Sequence, residues 1–395
     1  MSSQPELKVS VVRDLDGVEN LRGVWEELES TLTHIDPNAN IDHFRTVVRT
    51  LDGVQRPHIL VLEEAGVPVA LVAARIDRER MPYKIGYKTI FAPKVSNLRV
   101  VYGGTLAADV APYAELILKE LIGSLARREA DLITLAPQEQ DSPLLKAAAE
   151  EGALTRDHYP RGQRHWRIQL PKSFDDYVAS LSKGERKKVR KRRNRLEKNF
   201  CDGADYRRFR EVSDVPTLMN DTDTIATQTY QRGMGVGFRN NLLTERRIFL
   251  AAEKGWLRSY VLYLNERPVA YQLGFVYGNS YYAVGRGFDR EFSEHDVGTL
   301  LFEHALEQAI DSPGIDYWDF GIGDAPHKQR FSNESWEEIS ARVFASTFRG
   351  ICLNLAWSST HAVDLLARRL LSAWGDDIKG FWRNVFRRKS GDTNP

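Results

Sequence analysis

Two stretches of this chain repeat at a displacement of 200 positions, and that repeat limits the available folds more than any other feature. Val61, Leu62, Pro68, Val69 and Ala70 recur as Val261, Leu262, Pro268, Val269 and Ala270. Both copies set runs of β-branched and apolar residues about a short turn, Ala65-Gly66 in one and Asn265-Glu266 in the other, which is the pattern of a β-hairpin. Each predicted hairpin follows two amphipathic helices and precedes strand, helix and strand. It is this shared context that turns five identities into evidence of an internal duplication. The expected fold class is α/β (α+β): tandem duplicated modules, each a mixed central sheet flanked by helices, with a C-terminal helical tail.

In the first copy the apolar spacing predicts helices over 18–31 and 41–51, the hairpin over 58–63 and 67–76, strands over 87–91 and 98–102, a helix over 112–128, a strand over 131–136, a helix over 142–151 and a strand over 165–170. The second predicts helices over 214–231 and 243–254, strands over 257–264, 268–277 and 280–288, a helix beginning near Gly298 and Thr299, and strands over 315–320 and 338–346. Residues 321–328 read as an irregular polar loop, because two glycines and a proline interrupt them. A single bent helix is expected over 174–200. The domain boundaries follow: an N-terminal module at 1–170, a basic linking helix at 171–205, a C-terminal module at 206–348 and an amphipathic, basic helical tail at 349–395.

The net charge of +1 conceals a division. Residues 183–198 hold ten Lys or Arg against two Glu, and the last fifty residues hold eight against four, leaving −11 for the rest of the chain. Ten like charges on one helix with only Val189 and Leu196 to bury point to an anionic partner: phosphates, a nucleic acid or anionic lipid. Arg186, Arg190 and Arg193 are candidate contacts. No aromatic residue interleaves this run, which disfavours base stacking on single strands. The tail, with Leu355, Val363, Leu366, Leu370, Trp374, Phe381, Trp382 and Phe386, suits packing on the second module or peripheral contact with an anionic membrane surface. Two cysteines and scattered histidines offer neither a disulfide framework nor metal-ligand spacing, so no metal is expected. The first residues lack the pattern of a signal peptide and no run is long enough to span a membrane, so the expected compartment is cytoplasmic.

A helix that begins beside a strand end presents unpaired N–H groups and the positive end of its dipole, which suit a phosphate or an oxyanion. Gly298 and Thr299 stand at such a start. Tyr282 lies on the strand beside it, and at period two Arg286 shares the face of Tyr282 and can reach an anion at Gly298.

Four places in the sequence together resemble the CelD-like acetyltransferases, a branch of the GNAT superfamily similar to the Fem-type aminoacyl transferases. They are Trp25-Glu26-Glu27-Leu28, the basic run from Arg186 to Leu196, Asp296-Val297-Gly298-Thr299-Leu300-Leu301, and Asp319-Phe320-Gly321 through Gly323-Asp324 to Lys328. This chain has Asp296-Val297-Gly298 where the family tends to Ser-Pro-Gly, and His327-Lys328 where it tends to Tyr-Lys. The resemblance implies two GNAT-like modules and transfer of an acyl group, from acetyl-CoA or another acyl-CoA, to an amine or hydroxyl. Of the usual GNAT phosphate loop only Gly298 is recognisable, which leaves another activated acyl donor open.

Such chemistry needs a base, an oxyanion stabiliser and an acid for the leaving thiolate. The candidates are Asp319 or Asp324 to position or deprotonate the nucleophile, Lys328 to neutralise a carbonyl oxygen or phosphate, and His327 for proton transfer, with Arg286, Gly298 and Thr299 on the donor and Tyr282 and Arg330 on the acceptor. The expected acceptor is a phosphorylated or anionic cell-envelope, polysaccharide or lipid-linked precursor. Two other readings compete: a Fem-type enzyme using charged tRNA, and a non-enzymatic anion- or nucleic-acid-binding protein on a GNAT scaffold. The first module, whose corresponding segment 136–141 lacks Gly-x-Gly-Asp and lysine, is expected to support while the second reacts.

Overall fold

The computed structural model describes residues 7–200, 203–229 and 237–373. The strands are β1 (Leu7–Val12), β2 (Val54–Glu64), β3 (Val67–Arg80), β4 (Tyr83–Ile85), β5 (Lys88–Phe91), β6 (Lys94–Leu106), β7 (Leu132–Glu139), β8 (Arg161–Gln169), β9 (Ala204–Phe209), β10 (Ser259–Leu264), β11 (Arg267–Tyr277), β12 (Ser280–Phe288), β13 (Tyr317–Ile322) and β14 (Glu334–Phe344). Between them run helices α1 (Leu15–Asn20), α2 (Arg22–Ser30), α3 (Ile41–Thr50), α4 (Ala114–Ala126), α5 (Pro143–Glu150), α6 (Phe174–Ser180), α7 (Lys183–Asn199), α8 (Val215–Thr227), α9 (Leu242–Glu253), α10 (Val297–Ile310), α11 (Pro326–Phe331) and α12 (Phe348–Ala373).

Twelve strands form one mixed sheet in the order β1-β2-β3-β6-β7-β14-β8-β13-β12-β11-β10-β9, while β4 and β5 pair apart from it. The order is nearly palindromic. On either side of the centre an antiparallel run of strands leads to one parallel pair, β6 with β7 and β12 with β13. At the centre the two halves exchange their last strands: β14, from the second, pairs with β7, and β8, from the first, pairs with β13. Apolar clusters cover both faces of each half, beneath α1–α3 on one face of the first and α4–α5 on the other. In the second half α8 and α9 cover one face and α6, α7 and α10 the other. Packing of α3 against α9 ties the halves together.

The duplicated hairpins close through the predicted turns, with Ala65 and Gly66 at φ 51° and 80° and Asn265 and Glu266 at 51° and 64°. Two successive left-handed residues give a turn whose twist matches that of the strands. Three expectations are corrected. The helix expected over 18–31 is two helices, α1 and α2. The one expected over 174–200 breaks at Leu181, because the Ser182 side chain accepts from the Glu185 N–H and starts α7 afresh. The loop expected over 321–328 ends in α11, with Pro326 in its first turn, where a missing N–H costs nothing. The edge strands β1 and β9 were not expected.

The basic helix is more firmly seated than its two apolar positions suggest. Val189 and Leu196 are buried, and so is Arg192, which pairs with buried Glu303 of α10, while Arg193 reaches Glu307 at 2.9 Å. Removing one partner of a buried ion pair strands the other charge. Arg192→Met should therefore lower unfolding free energy by about 3–5 kcal/mol in urea titration, and adding Glu303→Leu should restore most of it.

In α12, Phe348, Leu355, Val363 and Leu366 are exposed. Positions 374, 381, 382 and 386 of the expected tail lie outside the described residues. Among the described residues no helix is long and apolar enough to cross a membrane.

Candidate functional site

Each parallel pair closes at one end only. The β12–β13 ladder joins Ser280 to Tyr317, Tyr281 to Trp318 and Tyr282 to Asp319, and then the strands part. Tyr281 locks the closed end by stacking on Trp318 with ring centroids 4.0 Å apart. Beyond it β12 carries an extra residue: Gly274 of β11 faces Ala283, but the next residue, Leu273, faces Gly285. The bulged Val284 is half exposed and the strand bends there.

This bulge corrects the expected alternation. Tyr282 pairs with Phe275 and Arg286 with Gln272, residues on opposite faces of β11, so Tyr282 and Arg286 point to opposite sides of the sheet. Arg286 does reach the start of α10, donating to the Gly298 carbonyl at 2.8 Å. Its Nη1 is buried with no partner among the described residues, and burial, reinforced by Arg330, lowers its pKa to about 10. No side chain caps α10, whose preceding residue Asp296 is left-handed at φ 55°. Gly298 faces Phe288: a Cβ there would stand 2.8 Å from the ring. Thr299 lies in the first turn.

A cavity of about 550 Å³ occupies the gap between the parted strands, lined by Ala283 to Arg286, Phe320, Ile322, His327 and Lys328. Lys328 donates to the carbonyls of Gly321 and Ile322 at 3.1 and 2.9 Å, and burial lowers its pKa against the pull of Asp319 and Asp324. Burial, with Arg286 and Lys328 adding, lowers His327 to about 4, so its ring is neutral at neutral pH.

A second cavity, of about 310 Å³, adjoins the first at Arg247, Ala283, Val284 and Ile322. Here both halves meet. His165 of β8 is buried between two carboxylates, its Nε2 2.8 Å from Asp319 and its Nδ1 2.9 Å from Glu338 of β14. Both ring nitrogens can donate only as imidazolium. Burial opposes that charge, but the hydrogen bonds His165 donates to Asp319 and Glu338 outweigh it and raise His165 to about 9. Trp336 stacks on His165 at 4.3 Å and donates to Glu338, as does Tyr102 of β6 at 2.8 Å. Asp319 also accepts from the Gly321 N–H. Tyr282 donates to the Ile35 carbonyl and lines this cavity.

Beside Ile35 stands Asp36, whose Oδ1 accepts from the backbone and side-chain amides of Asn38, each at 2.7 Å. Burial raises its carboxyl to about 7; the Asn38 bonds work against that shift and Asp319 adds to it. Asp36, Tyr102, His165, Tyr282 and Asp319 also border a third cavity, of about 560 Å³, which opens into the gap between β6 and β7.

The fold thus gathers Arg286, His327 and Lys328 at one cavity and Tyr282 and Asp319 at the next. Asp324 accepts from the Trp166 indole at 3.0 Å, and Arg330 pairs with Glu185 of α7. Arg186 donates to the Ala179 carbonyl at 3.2 Å, Arg193 is held by Glu307, and Arg190 is exposed on α7. Sequence reasoning overlooked Asp36, Tyr102, His165 and Glu338. One signal was available: Gln163, His165, Arg167 and Gln169 alternate along β8, a polar face on what proves to be a central strand. No group of His, Cys, Asp and Glu among the described residues could hold a metal ion.

Residues 183–329 match the family model described as acetyltransferase (GNAT) domain. The match runs from α7 into α11. Solved structures resemble most of the chain at low identity. A conserved protein of unknown function from Bacteroides thetaiotaomicron VPI-5482 is 12% identical, with 82% of this chain and 97% of that one covered at a TM-score of 0.52. FemX is 12% identical, with 81% and 95% covered at 0.51. A tandem GNAT protein from the clavulanic acid biosynthesis pathway is also 12% identical, with 87% and 99% covered at 0.50. These likenesses establish the tandem GNAT-like architecture. Comparison with curated proteins gives no significant match. The parted strands, the start of α10 and Lys328 all fall within the GNAT domain match, whereas His165 and Asp36 lie outside it.

Proposed function

We propose that the protein is a GNAT-type N-acyltransferase that takes its acyl group from acyl-CoA bound across the β12–β13 gap. The parted strands carry this reading. Past Tyr282, β12 has no ladder partner on the β13 side among the described residues, so its backbone groups are free to hydrogen-bond a pantetheine amide chain. Arg286 Nη1, buried and unpartnered at the uncapped start of α10, suits a phosphate oxygen there.

At the other end of the gap the carbonyl to be attacked comes under Lys328, which keeps one ammonium N–H after serving Gly321 and Ile322. That proton is directed to the oxygen on which negative charge develops. Asp319, already accepting from His165 and Gly321, fixes the geometry of β13 where the strands part rather than serving as the base. The acceptor nitrogen forms the new C–N bond, the C–S bond breaks, and the thiolate takes up a proton released by the nitrogen.

Calorimetric titration of the full chain with acetyl-CoA at near-physiological salt tests the reading. Micromolar binding is expected, weakened about ten- to a hundredfold in Arg286→Met, since a charge-assisted hydrogen bond contributes about 1.5–3 kcal/mol. Absence of binding, or binding indifferent to Arg286, would remove acyl-CoA from the β12–β13 gap.

A further inference from the structure

We infer that the cleft of the first module seats a cationic acceptor bearing a primary amine, and that Asp36 takes the proton its ammonium must lose. The inference rests on the acyl-transfer reading and adds the acceptor's charge, its seat and the base.

The β6–β7 pair is the first module's counterpart of β12–β13. Its ladder ends at Val100 and Leu135, and the cavity of about 560 Å³ fills the gap beyond. The lining is acidic where a phosphate-bearing donor would need positive charge. Asp36, Glu139, Asp141, Asp319 and Glu338 all border it. Among the lining residues two cations face them, and both are committed; from outside the lining Lys146 pairs with Asp141 at 3.5 Å and Arg247 acts on Asp36. His165 lies between Asp319 and Glu338, and Arg167 is paired with Glu334 at 2.8 Å while resting over the rings of Tyr317 and Trp336. None of the residues bordering this cavity comes from the basic helix.

Two further observations point to a positive ligand. Glu139 and Glu338 are direct partners across the β7–β14 ladder, an arrangement that places like charges side by side and is destabilising unless a cation answers it. Glu338 is 4% exposed, and its Oε2 has no hydrogen-bond partner among the described residues. A buried carboxylate oxygen bordering a cavity is a strong acceptor for an ammonium. Trp336, Tyr102 and Tyr282 supply aromatic wall, which also favours cations.

Asp36 stands where this cavity meets the one leading to the β12–β13 gap, so an amine seated in the first module has a path to the acyl carbon. Its Oδ2 makes no hydrogen bond among the described residues. The charged and titratable groups that act on it are Asp319, His165, Tyr102, Tyr282 and Arg247. A carboxylate with a pKa near neutrality is matched to this task, since it is ionised often enough to accept a proton and basic enough to take one from an ammonium. The ammonium loses one proton to Asp36, which passes it to solvent. The neutral amine then forms the C–N bond, and its second proton leaves with the thiolate.

The test uses the full chain without donor, titrated with cadaverine, spermidine and lysinamide, and with glucose 6-phosphate as the anionic counterpart. At least one of the three cations should bind saturably at near-physiological salt, and glucose 6-phosphate should not. Glu139 and Asp141 are exposed, so E139Q/D141N should fold normally, bind that cation about tenfold more weakly and bind acetyl-CoA as before. Failure of all three cations, or saturable binding of glucose 6-phosphate instead, overturns the acceptor assignment whatever acetyl-CoA does. Loss of acetyl-CoA binding alone refutes only the donor site. For the base, Asp36→Asn should bind the cation yet lose the rise in acylation rate through about pH 7; an unchanged rate profile removes Asp36 from that role.

Discussion

Replacing His165 with leucine should destabilise the protein by about 3–5 kcal/mol, because the Asp319 and Glu338 carboxylates would be left buried without a cation. The triple variant His165→Leu/Asp319→Asn/Glu338→Gln should recover much of the loss. The same network sets a pH dependence. His165 is raised from 6.5 to about 9 in the folded protein, so folding favours its protonated form. That stabilisation, about 3 kcal/mol, is complete below pH 6.5 and disappears as pH rises through 9. Urea midpoints at pH 6 and pH 9.5 check it: the wild-type midpoint should fall between the two, and the His165→Leu variant should lack that component of the fall. Equal falls in both proteins would locate the pH dependence elsewhere.

Lys328→Met should reduce turnover by about 10²–10³-fold while changing the KM for the acyl donor only a few-fold, as expected for a donor that acts on charge formed in the transition state. Lys328 also ties α11 to the end of β13 through two carbonyls, so thermal denaturation must accompany the kinetics. A variant that melts near the wild-type temperature and still turns over at half the normal rate would exclude Lys328 from the reaction.

The duplication was legible because its signal is local. A hairpin turn and the apolar runs beside it lie within twenty residues, and the second copy repeats the first at a constant displacement. The seating of Arg286 was not legible, since one extra residue in β12 reverses every side chain that follows and no composition marks a bulge at Val284. Pro326 was read as a breaker, when in a first turn it is an initiator. The network around His165 lies furthest from local pattern. Its members come from positions 36, 102, 165, 319 and 338, and the pairing of β8 with both β13 and β14 brings His165, Asp319 and Glu338 together. Three of the five come from the first half of the chain.

The exchange of β8 and β14 also dictates an order of events at the ribosome. When β7 leaves the exit tunnel its outer edge has no neighbour, and the strand that will cover it is about two hundred residues away, the last to be made. β8 emerges early with both of its neighbours, β13 and β14, still unsynthesised. Bare strand edges invite pairing with other chains, so the nascent protein presents an open seam until β14 is made. The arrival of Phe344 closes both halves at once. A chain truncated just before β14 therefore keeps the facing edges of β7 and β8 unpaired.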